Sequence, residues 1–153
     1  MNASAANLAL QPGFGHDLSH NLGAILCYAL VGAALIAIGF VMVDLTTPGK
    51  LNALVRVGMP NAVAIAAGGT VSISLIVVTS IFSSSGHLVE GLITTASYGL
   101  LGILVQVFAV RILEAVLRID VGEILHDDRF NPASVAVASA HLALGAIVAV
   151  SVL

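Results

Sequence analysis

The sequence predicts an all-α integral membrane protein, a four-helix bundle that crosses the bilayer four times. Of its 153 residues, 59% are hydrophobic and only 8% are charged. A water-soluble domain carries roughly 25% charged residues, so this chain cannot face water on all sides. Four long apolar stretches and the position of every basic residue complete the argument.

The four apolar stretches are each long enough to cross about 30 Å of hydrocarbon, which takes about 20 residues of α-helix. Each must be helical, because lipid offers no partner to an unpaired backbone amide. The predicted spans are residues 22–43, 61–82, 92–110 and 133–153. They form one membrane domain, residues 22–153, and residues 1–21 are predicted to be an external tail.

Basic residues orient the helices, because cytoplasmic loops carry an excess of lysine and arginine. All five basic residues follow span one or span three: Lys50, Arg56, Arg111, Arg118 and Arg129. These two connections are therefore predicted to be cytoplasmic, and both termini external.

Each cytoplasmic connection carries an apolar stripe typical of a short helix lying at the membrane surface. The stripes are Leu51, Leu54 and Val55 in the first connection, and Val121, Ile124 and Leu125 in the second. Thr47, followed by proline, is predicted to cap the first helix. Asp120 and Glu123 resemble a capping box for the second. Span three is expected to continue beyond the bilayer, with Arg111 and Glu114 on a salt-bridged face.

The sequence also contains a candidate duplication of a two-span unit. A shift of seventy positions, without gaps, aligns Leu22 with Leu92, Tyr28 with Tyr98, Gly32 with Gly102, and Asn61 with Asn131. A two-span unit repeated head to tail keeps its orientation. The two halves would therefore be tandem repeats related by an axis along the membrane normal.

Small residues recur on one face of two spans. The stripes are Ala29, Ala33 and Ala37 in span one, and Ala64, Gly68 and Ser72 in span two. Such stripes let helix backbones approach closely in lipid, where van der Waals contact drives association. The spacing leaves open whether each stripe faces the same chain or a second subunit.

Three short motifs point to a known family. They are Thr46-Thr47-Pro48 after span one, Asn61-Ala62-Val63-Ala64-Ile65 at the start of span two, and Gln106 with Arg111 at the end of span three. Over residues 22–153 the chain resembles the YjfL-like bacterial inner-membrane proteins, catalogued as a domain of unknown function, number 350. It departs from the family pattern in span four, where Asn131 is followed by Pro132-Ala133-Ser134-Val135-Ala136, and the N-terminal tail is extra.

The resemblance implies a small four-helix protein of the bacterial inner membrane. Such proteins are often encoded near envelope-stress or polyamine-related genes. The resemblance brings no established activity and no catalytic residue.

The candidate functional positions are the polar residues in or beside the spans: Asn61, Tyr98, Gln106, Asn131 and His141. Asn61 and Asn131 open spans two and four, where asparagine is a preferred N-cap; the alternative is a pair of amides lining a shared mouth. His141 lies deep in span four, where an ionisable group is usually turned inward and paired. We expect it to hydrogen-bond Gln106 or Tyr98, either structurally or as part of a conduction path.

Histidines predicted to lie on the external side are compatible with a metal site. His16 and His20 have the four-residue spacing of helical metal ligands, and His87 is also expected on that side. The alternative is that all three are solvated loop residues. The sequence predicts no cofactor.

Missing motifs narrow the function classes. The sequence has no nucleophile with a base, no paired acids and no glycine-rich phosphate loop, so we expect no enzyme. A net charge of −3 without a basic run gives no support to nucleic-acid binding. Two functions remain: a structural or accessory subunit that packs with itself or with a larger membrane complex, and an oligomeric channel or transporter for a small ion or solute.

Overall fold

The computed structural model describes residues 13–47, 49–84 and 87–153, and these residues form helices without any strand. The six helices are α1 (Phe14–Thr46), α2 (Leu51–Arg56), α3 (Pro60–Ser83), α4 (Leu88–Leu117), α5 (Val121–Leu125) and α6 (Pro132–Val152). α1, α3, α4 and α6 are long and apolar enough to cross a membrane. The predicted four-helix membrane bundle is therefore confirmed.

The first long helix starts before the predicted span. α1 begins at Phe14, so residues 14–21, predicted as part of a tail, form its first turns. Gly13 precedes the helix with φ 93°, and Asp17 lies in the first turn, where a carboxylate favours the helix N-terminus. The rest of the predicted tail, residues 1–12, lies outside the described residues.

The connections gather at opposite ends of the bundle. At one end, the Ser83 hydroxyl donates a hydrogen bond to the Val152 carbonyl (3.0 Å), so the α3–α4 connection lies beside the C-terminus of α6. At the other end, a Cβ atom on Gly49 would lie 2.5 Å from the His126 ring, so the connections that carry α2 and α5 meet. The sequence predicted the same grouping, with the connections after spans one and three at one end and the connection after span two at the other.

The two short helices pack onto the bundle through their apolar stripes. Leu51 of α2 and Leu125 of α5 are fully buried, and both belong to the main hydrophobic core. The predicted stripes are therefore correct, but their partner is protein. Asp120 caps α5 by accepting from the Glu123 backbone N–H (3.1 Å), as predicted. Thr47 is the C-cap of α1 and not the N-cap of α2, so that prediction was wrong.

α3 and α6 run parallel and in register, and they make the most extensive contact in the bundle. Near the N-termini of these helices, the Asn61 side-chain oxygen accepts a hydrogen bond from the Asn131 backbone N–H (2.8 Å). The two residues are seventy positions apart. Further along, a Cβ atom on Gly68 would lie 2.7 Å from the Ala138 carbonyl oxygen. The order long–short–long occurs twice. Contact between repeat-equivalent residues supports the predicted duplication.

Gly68→Val should test this contact. Added methyl groups would overlap the α6 backbone, which cannot move aside cheaply, so we expect a loss of about 1–3 kcal/mol in stability. Gly23→Val is the matched control, because a Cβ atom there meets nothing within 4 Å. The measurement is the unfolding midpoint in a denaturing-detergent titration; equal midpoints for the two variants would contradict the close α3–α6 packing.

Candidate functional site

Three helices meet at one backbone carbonyl in the middle of the bundle. The His141 carbonyl of α6 accepts a hydrogen bond from the Ser72 hydroxyl of α3 (2.7 Å) and another from the Gln106 side-chain nitrogen of α4 (2.9 Å). Ser72, Gln106 and His141 are all buried. The contact is possible because Gly145, one turn along α6, has no side chain that would overlap the Ser72 hydroxyl.

The prediction that Gln106 or Tyr98 hydrogen-bonds the His141 ring is therefore wrong. Gln106 does bind residue 141, but through the backbone carbonyl. Tyr98 is 43% exposed on the outer side of α4 and is not the partner. The ring of His141 lies instead beside Gly69: a Cβ atom there would be in ordinary van der Waals contact with Nδ1, at 3.6 Å.

Two buried polar atoms of this cluster have unused hydrogen-bonding capacity. Within the described part of the chain, neither the Gln106 side-chain oxygen nor His141 Nδ1 has a hydrogen-bond partner. An unpaired buried polar atom costs about 1–3 kcal/mol, so such atoms require an explanation. The Gln106 oxygen could accept one further hydrogen bond, and the imidazole nitrogen could accept or donate one.

A second polar cluster joins the two repeats at the α2–α5 end. Asn61 is fully buried, and its side-chain nitrogen donates to the carbonyls of Asp127 (3.0 Å) and Arg129 (2.8 Å). Its side-chain oxygen accepts from the Asn131 backbone N–H. Asn61 thus fastens the connection between α5 and α6 to the start of α3.

The two asparagines therefore have different roles. Asn131 is the N-cap of α6, and its side-chain oxygen accepts from the Ala133 backbone N–H (3.0 Å), which confirms the prediction. Asn61 was also predicted to cap a helix, and this was wrong. α3 begins at Pro60, with Met59 as its N-cap, so Asn61 already lies inside the first turn.

Charged residues at the same end tie α4 to α1. Arg111 pairs with Glu114, as the spacing predicted, and its guanidinium also donates to the Thr47 hydroxyl (3.4 Å). The bond to Thr47 could not be foreseen, because the two residues are distant in sequence. Asp44 accepts from the Asn52 backbone N–H (2.6 Å) and closes the turn between α1 and α2.

The histidines predicted to be external do not assemble into a metal centre in the described residues, where no group of three or more potential metal ligands lies together. His16 and His20 share a helical face of α1 and are exposed. The ring of His16 is 3.7 Å from the Asp17 carboxylate.

A pair of isosteric substitutions separates the two asparagine roles. Asn61→Asp keeps the acceptor for Asn131 but loses both donors and buries a carboxyl group, so we expect a loss of about 2–3 kcal/mol. Asn131→Asp keeps the cap acceptor, and aspartate is an equally good N-cap, so its stability should stay within about 0.5 kcal/mol of the native chain. The measurement is again the unfolding midpoint in denaturing detergent. A larger loss for Asn131→Asp would show that the Asn61 bonds matter less than the cap.

Comparisons with known proteins agree with this architecture. The family model described as Domain of Unknown Function (DUF350) matches residues 17–152. A UPF0719 transmembrane protein of Mycolicibacterium paratuberculosis is 35% identical over 130 residues, which cover 84% of this chain and 86% of that protein. One from Mycobacterium bovis is 37% identical over 131 residues, or 85% of this chain and 86% of that protein. No solved structure matches the chain. The predicted resemblance is confirmed: the chain belongs to the DUF350 family of membrane proteins.

Proposed function

We propose that this protein is a non-enzymatic subunit of the bacterial inner membrane that acts by packing against other membrane helices. Its partner is a second copy of itself or a larger membrane complex. The resemblance to proteins encoded near envelope-stress genes extends the proposal to that response. The observation that carries it is a small-residue face of α1 that no other helix of the described residues covers.

The two small-residue stripes have different surroundings. In α3, Gly68 and Ser72 are buried against α6. In α1, the stripe is exposed along its length, and the helix turns a different face to the bundle. The exposed stripe consists of Ala29, Ala33 and Ala37. Small residues let a second helix approach closely, which is a main source of helix association in lipid.

The inner-membrane orientation belongs to the same proposal. All five basic residues lie in or beside the end of the bundle that carries α2 and α5. This distribution supports a cytoplasmic position for that end and an external position for both termini. The matched relatives are bacterial proteins named as transmembrane proteins.

An oligomeric channel or transporter is the second candidate function. The unused hydrogen-bonding capacity of Gln106 and His141 favours it, because polar groups inside membrane spans often mark an ion or solute path. A purified homo-oligomer that conducts ions in liposomes would support this function over the first.

Reporter fusions test the orientation. Fusions at the N-terminus, after Ser84 and at the C-terminus should report an external location, and fusions near Lys50 and Arg129 a cytoplasmic one. The physical reason is the cost of translocating basic loops. A cytoplasmic C-terminus would contradict the proposed orientation.

Ala33→Leu tests the packing function. The larger side chain should keep partner helices apart, so the variant should purify in mild detergent as a single chain, whereas the native protein purifies in a larger assembly. Ala34→Leu is the control: Ala34 is the same residue type, also exposed, but about 100° around the helix. A native protein that is a single chain in mild detergent, and forms no cross-links to other proteins in membranes, would contradict the proposal.

A further inference from the structure

Two cavities at the α2–α5 end of the bundle occupy repeat-equivalent positions. The first cavity, of about 480 Å³, lies beside α2, and the second cavity, of about 620 Å³, lies beside α5. Each repeat thus contributes one cavity of the size of a small-molecule site. A shift of seventy positions carries lining residues of the first cavity onto lining residues of the second: Lys50 onto Asp120, Ala53 onto Glu123, and Arg56 onto His126.

The two cavities carry opposite charge. The described residues that line the first cavity include two basic side chains, Lys50 and Arg56, and one carboxylate, Asp44. Those that line the second cavity include three acidic side chains and neither lysine nor arginine. The first cavity is therefore suited to an anion, and the second is not.

The protein does not neutralise the basic residues of the first cavity. Among the described residues, Lys50 and Arg56 form no ion pair, whereas Arg111 at the same end does. The Asp44 carboxylate accepts a hydrogen bond from the Asn52 backbone N–H (2.6 Å), so it holds the turn between α1 and α2. Both positive charges remain available to a ligand.

Neutral donors complete a site for a phosphate group. The Thr47 hydroxyl accepts a hydrogen bond from the Arg111 guanidinium (3.4 Å), and its own hydrogen can still be donated to a ligand in the cavity. The backbone N–H of Asn52 is bonded within the protein, but its side-chain amide can donate as well. Phosphate oxygens accept hydrogen bonds from a guanidinium fork and from an ammonium group, which Arg56 and Lys50 supply.

An apolar strip of α1 runs into the same cavity. Leu45 lines the cavity and is 74% exposed. Ile38 and Val41 precede it on the same side of the helix and are also exposed. This helix is long and apolar enough to cross a membrane. An acyl chain lying along the strip would bring its phosphate headgroup to the cavity, whereas a soluble anion would gain nothing from the strip.

We propose that the first cavity binds the headgroup of an anionic phospholipid. The phosphate lies between Lys50 and Arg56, and one acyl chain lies along Ile38, Val41 and Leu45. Basic pockets at the ends of membrane helices are a recurring form of anionic-lipid recognition. The inference goes beyond the packing function, because it names a lipid ligand and needs no second chain.

Lipid titration followed by native mass spectrometry tests the inference. The protein is purified in mild detergent, where its orientation in a membrane does not matter, and titrated with phosphatidylglycerol or with zwitterionic phosphatidylcholine. We expect one phosphatidylglycerol molecule to bind at least about tenfold more tightly than phosphatidylcholine, because only the anionic lipid gains from two basic residues.

Two double variants separate the cavity from the general charge of this end. Lys50→Gln with Arg56→Gln should weaken phosphatidylglycerol binding by about tenfold or more, because each basic residue near an anionic lipid contributes about fivefold. The control, Arg118→Gln with Arg129→Gln, removes the same charge from the same end, but neither residue lines the first cavity. Its affinity should stay close to that of the native protein.

Ala53→Glu is a further variant that keeps both basic residues of the first cavity. It introduces the acidic side chain that Glu123 supplies in the second cavity. Phosphatidylglycerol should therefore bind about fivefold less tightly to this variant. This variant decides the question if the Lys50 and Arg56 double variant does not fold.

A loss of affinity confined to the cavity variants supports the inference. An equal loss in the two double variants would overturn it, since only the overall charge would then matter. Equal affinity of the native protein for the two lipids would also overturn it. Inorganic phosphate that displaces phosphatidylglycerol at equal concentration would overturn it as well, because the ligand would then be a soluble anion. Each of these failures would leave the packing function standing.

Discussion

The close parallel contact between α3 and α6 is the constraint on which the rest of the structure depends. Gly68 brings the α3 backbone against Ala138, and Gly145 leaves space for the Ser72 hydroxyl. In lipid, where there is no hydrophobic drive between helices, such an approach gains van der Waals contact that larger residues would prevent. The in-register pairing that results joins the two repeats along their length, from Asn61 and Asn131 to Ser83 and Val152.

The buried polar groups follow from that contact. Because α3 and α6 are so close, the His141 carbonyl comes within reach of both Ser72 and Gln106. At the α2–α5 end the same proximity lets one side chain, Asn61, satisfy two carbonyls and one N–H of the connection that leads into α6. These bonds would be lost together if the helices separated. Both clusters therefore depend on the α3–α6 contact: the His141 cluster in the middle of the bundle and the Asn61 cluster at the α2–α5 end.

Much of this fold could be predicted from composition and spacing. Four apolar stretches can only be helices in lipid, and the stripes around Leu51 and Leu125 identified the two short helices. The start of α1 was missed because glycine and asparagine in the first residues weakened the helical pattern. The site was predicted less well. Residue types identified Gln106 and His141 as polar groups deep in the spans, but which atoms meet depends on the backbone separation that Gly68 of α3 and Gly145 of α6 allow. A single sequence contains no measure of that distance.

The distribution of polar residues over the α3–α6 pair has a physical explanation in the position of α4. Side chains of α4 donate hydrogen bonds to the carbonyls of Ser80 and His141, and both residues are buried. Their repeat counterparts, Val150 and Val71, are exposed. A histidine at either exposed position would face lipid, at a cost of several kcal/mol for an unsatisfied polar group. The pair therefore carries polar side chains on the side that α4 covers and apolar side chains at the equivalent positions on the other side.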